Sequence, residues 1–247
     1  MNVAYLFHGH SRTWNQCYQS FFEKVFNHMP GDIYIHTWDK VNAKAGSWWN
    51  GYGHLRGHNL EISLRDADLS GIFAAYRPKK MIVEEHPQPD ITQYNFPAHI
   101  ADQAPAIMGI KCMLKSRRTV FEEAMKEKTY DRLFSLRMDI EFLNNIDVEE
   151  FKQNFLYRPN KLDNIDLWNQ GSPDGIDILS KYYYNIDTHW FNNSSIHNPF
   201  YEMRLSSFLG ENGIQIDHPG FAHFNGGGPK NISMKESTLE AKMVRLF

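Results

Sequence analysis

The chain has 247 residues, 42% hydrophobic, 22% charged and 14% aromatic, with a formal net charge of −3. A single α/β domain of this length buries roughly three quarters of its surface, so a core can form without disulfide staples. The near-neutral balance, with no long basic run, excludes a phosphate-neutralising face of the kind that binds nucleic acid.

The apolar run VAYLF, Val3 to Phe7, reads as a buried strand opening into the polar loop HGHSR. In TWNQCYQSFFEKVFNHM, apolar residues at Trp14, Tyr18, Phe21, Phe22, Val25, Phe26 and Met29 have the spacing of an amphipathic helix. DIYIHTW from Asp32 is a second strand, which completes a β-loop-α-β unit and with it a right-handed crossover in a mainly parallel sheet. A short helix over Leu69 to Tyr76, a strand KMIVEE from Lys80 and a long helix from Ala104 to Lys128 lead to YDRLFSLRMDIEF, read as one strand from Tyr130 to Phe142.

The intervals Asn42 to His58 and His86 to Gln103 read as long surface loops. After Phe142 come strands at NFLYRP and NIDLW, helices near Pro173 to Tyr184 and Pro199 to Glu211, and a last strand, GIQID. With no repeat, low-complexity tract or linker, the expectation is one domain over residues 1–247. Its fold class is α/β: an open mixed sheet, mostly parallel, helices on both faces, with a Rossmann-like half.

Cys17 and Cys112 sit in apolar helical patterns and suit a reducing compartment. No segment has the ~18 apolar residues of a transmembrane segment, and the first apolar run is short for a signal peptide. A cytoplasmic location is therefore expected.

Ligands of open α/β sheets bind outside the carboxyl ends of the strands. HGHSR falls there, before a helix amino terminus that attracts anions, and Arg12 adds a guanidinium suited to phosphate. No P-loop and no G-x-G-x-x-G fingerprint occurs. Asp139 and Glu141 are one residue apart; an extended chain would turn both to one side, tolerable where water screens them or where a cation lies between. Carboxylate oxygens suit Mg²⁺ or Mn²⁺, which in turn hold diphosphate oxygens. In HFNGGGPK, His223 is a further candidate metal ligand and Lys230 a candidate phosphate contact.

Four segments, VAYLFHGHSRTWNQCYQSFFEKVF, DIYIHTWD, YDRLFSLRMDIEF and DLWNQGSPDGIDILSKYYYNI, resemble in order and spacing the small GT-A type glycosyltransferases of bacterial polysaccharide clusters and large DNA viruses. The resemblance spans about residues 3 to 215 and implies a nucleotide-sugar-binding half, 1–142, and an acceptor-side half with a C-terminal tail, 143–247. It assigns Gly9, Arg12 and Thr13 to the nucleotide-sugar pocket, Arg137 to the donor, and Asp139, with Glu141 as a second ligand, to a Mn²⁺ or Mg²⁺ site. The tail is similar to an H-F-x-G-x-x-K segment in which His binds manganese and Lys the diphosphate, although Lys230 stands one residue late. Asp166 takes the position of an acidic residue facing the acceptor and is the first choice of base for the acceptor hydroxyl; Asp174 and Glu202 are its reserves. The implied partners are a nucleotide diphosphate sugar donor and a glycan or glycolipid acceptor, with no nucleic acid. Two other readings use the same residues: a non-catalytic carbohydrate-binding protein whose aromatics stack on sugar, and a metal-dependent hydrolase built on the HGH loop.

Overall fold

A computed structural model describes residues 1–42, 64–87, 104–150, 155–158, 168–191, 205, 208–216 and 232–243. Strand β1 (Val3–His8) is followed by helix α1 (Trp14–Phe21), which runs into a π-helical turn over Phe22–Phe26 closed by Asn27 N–H donating to Phe22 O at 3.0 Å. Next come β2 (Asp32–Trp38), β3 (Lys40–Asn42), β4 (Leu64–Asp66), α2 (Leu69–Tyr76) and β5 (Lys80–Glu84). The long helix α3 (Ala104–Glu127) leads to β6 (Arg132–Arg137) and β7 (Ile140–Phe142). The chain continues through β8 (Phe155–Arg158), β9 (Trp168–Gly171), α4 (Pro173–Phe191), β10 (Ile214–Ile216), β11 (Ile232–Glu236) and β12 (Ala241–Met243).

One eight-stranded sheet has the order β10-β11-β8-β9-β6-β1-β2-β5. Its strands run the same way except β9, which is antiparallel to both β6 and β8. The molecule is thus an α/β protein with an open, mostly parallel mixed sheet. β1 lies between β2 and β6 and is buried on both faces, which is why its sequence is continuously apolar rather than alternating. Ala4 and Leu6 pack with Leu114 and Phe121 of α3 and Ile176, Leu179 and Tyr182 of α4. Tyr5 and Phe7 turn the other way, onto Phe21, Val25, Ile72 and Tyr76. Helices therefore cover both faces, and Tyr5 in the second layer finds a buried partner by donating its hydroxyl to Met29 O.

From β1 the chain steps outward to β2 and β5, then returns through α3 to β6 on the opposite side of β1. That reversal makes the β1/β6 boundary a topological switch point, and open α/β sheets bind their ligands outside the carboxyl end of such a boundary.

One sequence expectation is corrected. Tyr130 to Phe142 is not one strand: β6 ends at Arg137, Met138 and Asp139 form a turn, and β7 leaves the main sheet to pair antiparallel with β12. The break follows from the fork that Arg137 makes to Asp139 two residues on, Nε to Oδ1 at 2.8 Å and Nη2 to Oδ2 at 2.6 Å. Side chains i and i+2 of a flat strand run parallel and do not close on each other so tightly. Of the strand expected at NIDLW, residues 164–167 lie outside the described residues; Trp168 opens β9, Trp168–Gly171, in which Asn169 and Gln170 are buried.

Candidate functional site

The loop after β1 turns at Gly9, whose φ of +92° is a backbone state that side-chain-bearing residues rarely adopt. Three neighbours fix it. Gly9 N–H donates to Ser116 Oγ at 2.8 Å, Thr37 Oγ1 donates to Gly9 O at 3.0 Å, and His36 Nδ1 lies 2.7 Å from the same Ser116 hydroxyl. His36 Nε2 faces Glu84 Oε2 at 3.5 Å, and Lys115 holds that carboxylate at 2.7 Å. The ends of β2 and β5 and the middle of α3 thus jointly set the turn that delivers residues 10–13.

Around it stand His8, buried, with Nε2 3.0 Å from Ser135 Oγ and accepting from Arg117 Nε at 3.4 Å. His10 packs against Trp38 and His86, ring centroids 4.6 and 5.4 Å away. The half-buried Arg12 has a buried Nε with no hydrogen-bond partner, and Ser11 Oγ beside it is likewise buried without one. Thr13, fully buried, begins α1. On the β6 side, Arg137 grips both oxygens of the buried Asp139.

Burial pushes the His8 imidazole well below its usual range, and the Arg117 and Arg137 charges push the same way. His10 is lowered by burial, Arg12, His86 and Arg137, and His36 by burial against the opposing pull of Glu84. These rings are neutral in the folded chain, whereas in the unfolded chain each takes a proton below about pH 6.5. The unfolded state then binds more protons, so stability falls as pH drops through that value, by up to about 1.4 kcal/mol per pH unit for each of the fully buried His8 and His36. Urea midpoints at about pH 7.5 and 5.5 check this, with the decline expected to be shallower in His8→Gln. Equal midpoints in the parent chain would contradict it.

The structure brings Gly9, Arg12, Thr13, Arg137 and Asp139 to one end of the sheet, and both Asp139 and Arg137 act on the charge of Arg12. It does not join Glu141 to Asp139 as a pair of ligands. Glu141 sits opposite Lys242 in the β7–β12 ladder and pairs with it at 3.1 Å. Asp174 lies exposed in the first turn of α4, just after Gly171, which is in register with Leu133 near the amino end of β6 and so at the far end from Asp139. Asp166, Glu202, His223 and Lys230 lie outside the described residues.

Sequence reasoning overlooked His36, Ser116 and Arg117. One signal was present: Ile110, Leu114, Arg117, Phe121 and Ala124 recur at helical spacing, so Arg117 occupies a core-facing phase of α3 and is 1% exposed.

The described residues do not suit a divalent cation. Both Asp139 oxygens are engaged by a guanidinium, Glu141 has its own cation, and no group of three or more His, Cys, Asp or Glu converges among the described residues. What the arrangement offers is positive: guanidinium groups beside imidazoles, at the carboxyl ends of parallel strands. A separate cleft of about 490 Å³, lined by Phe22, Phe26, Asp32, Ala75 and Arg77, opens at the amino end of β2, and none of the candidate site residues line it. No helix among the described residues is long and apolar enough to cross a membrane.

Compared with known protein families and with curated proteins, the chain matches no family model and no curated sequence.

Proposed function

We propose that this chain is a glycosyltransferase with a GT-A-like fold, moving a sugar from a nucleotide diphosphate sugar to a hydroxyl of a glycan or glycolipid. The observation that carries the reading is the β1/β6 switch point, where the Arg12 loop and the Arg137–Asp139 pair meet at the carboxyl ends of parallel strands. A donor bound there lays its phosphates against Arg12 and its base or sugar toward the His10, Trp38 and His86 rings. In transfer, the acceptor oxygen bonds to the anomeric carbon as the bond to the diphosphate breaks, and the nucleoside diphosphate leaves with the electron pair. The acceptor proton goes to a carboxylate, for which Asp166 is the candidate; Trp168, two residues later in sequence, pairs with Leu136 at the carboxyl end of β6.

The test is product formation from a panel of UDP-, GDP- and TDP-sugars with mixed glycan acceptors. Asp166→Asn is expected to bind nucleoside diphosphate as the parent does and to lose about 100-fold or more of transfer, the usual share of a general base. Full transfer by Asp166→Asn would remove that residue from the mechanism.

A second reading, a non-catalytic carbohydrate-binding protein, draws on one observation. The buried and half-buried carboxylates described at this end of the sheet already have partners: Asp139 has Arg137, Glu84 has Lys115, and Asp39 accepts from His86 N–H at 2.7 Å. Nucleoside diphosphates should raise the melting temperature of a transferase and leave a pure sugar binder unchanged.

A further inference from the structure

We infer that the carboxyl end of the β1/β6 boundary holds the diphosphate of its ligand through the Arg12 guanidinium, beside the Arg137–Asp139 pair, and needs no divalent cation. The identity of the anion rests on the glycosyltransferase reading; the cation-free mode of holding it rests on the geometry and charges of the side chains.

Arg12 is held in a loop pinned at Gly9 by Ser116 and Thr37, so its backbone is fixed before any ligand arrives. Its buried Nε has no partner, and the one carboxylate among the described residues that acts on its charge, Asp139, gives both oxygens to Arg137. A largely desolvated cation without a counter-ion of its own is costly, and an anion that reaches it recovers that cost. Beside it Ser11 Oγ, His8 Nδ1 and His10 Nδ1 are also buried polar atoms without partners. Positive charge and unspent hydrogen-bonding groups therefore occur together, the complement of a phosphate and not of a metal ion.

A divalent cation at Asp139 faces the reverse situation. It would have to break the two-bond Arg137 fork, take the Asp139 carboxylate from Arg137 beside Arg12, and add two positive charges where, among the described residues, one carboxylate acts on Arg12. In sites that use a metal to hold diphosphate, carboxylates outnumber the neighbouring cations and the ion supplies the missing positive charge. Here that charge is already built into side chains.

The experiment is calorimetric titration of the full chain with inorganic pyrophosphate, and separately with UDP and GDP, in excess EDTA and again with Mn²⁺. Pyrophosphate is expected to bind in EDTA. Arg12→Ala should weaken it about 10- to 100-fold, the worth of one charge-assisted hydrogen bond set, with Arg12→Lys in between. Because Arg12→Ala also removes a desolvated charge, its ligand-free melting temperature should equal or exceed that of the parent, which separates lost binding from lost folding. Binding that appears only with Mn²⁺, or an Arg12→Ala affinity equal to the parent, overturns the inference. Pyrophosphate binding in EDTA without sugar transfer from any donor supports this inference and removes the transferase reading. Sugar transfer that vanishes in EDTA and returns with Mn²⁺ removes this inference and keeps the transferase.

Discussion

Replacing Asp139 with Ala is expected to cost about 3–5 kcal/mol of folding free energy, the range for breaking a buried ion pair from one side. The Asp139 and Arg137 side chains are 4% and 15% exposed, and the carboxylate takes both bonds of the guanidinium fork. Without it Arg137 loses this carboxylate, and the repulsion between the Arg137 and Arg12 charges is no longer offset by it. Asp139→Ala combined with Arg137→Leu should recover most of the loss, because the stranded charge goes with its partner. Glu141→Ala is the contrast: its pair with Lys242 is in the partly exposed β7–β12 ladder, and its loss should cost less than about 1 kcal/mol. Urea titration of the parent and the three variants measures all of this. An Asp139→Ala chain as stable as Glu141→Ala would mean that the fork contributes little to folding.

The second large effect is expected at Trp168. Its indole is fully buried on β9, in register with Leu136, and packs into the same layer as Tyr5, Phe7 and Phe134. Trp168→Ala opens a cavity and should cost about 3–5 kcal/mol. Trp168→Phe should cost much less, about 1.5 kcal/mol or under, since the indole Nε1 is buried without a partner and its removal relieves an unmet donor. Denaturant midpoints decide between them. If Phe proves as damaging as Ala, the indole N–H has a partner on which the fold relies.

Much of the scaffold was legible in the sequence because central parallel strands and amphipathic helices write strong local patterns. Val3–Phe7 is apolar throughout since both its faces are covered, and the Leu69–Tyr76 helix starts where Asp68 accepts Gly71 N–H at 2.9 Å. What escaped was set by distant partners. β12 is three residues long and is a strand only because β7 offers it a ladder. The Arg137–Asp139 fork turns the chain away from the extended path that residues 130–142 suggest on their own.

The site divides in the same way. Arg12 and Asp139 were visible as charged residues at strand ends. Ser116 was not: a serine in mid-helix carries no mark of the glycine that it will hold from more than a hundred residues away in sequence. Glu141 was misread as a partner of Asp139 because spacing alone cannot tell a strand from a turn between two strands.

One feature of the sheet bears on how the chain reaches its final state. β11 lies between β8 and β10, yet Ile232–Glu236 follows both of them in the sequence. A nascent chain leaving the ribosome amino end first can therefore assemble β6-β1-β2-β5 early, but holds an interior gap until β11 arrives. Until then the β8 edge that β11 will occupy stays open, with unpaired backbone groups on it, a template for pairing with the wrong strand. Chaperone demand and loss to aggregation should thus concentrate in that late interval of synthesis, and slowing translation before Ile232 should lower the yield of folded protein.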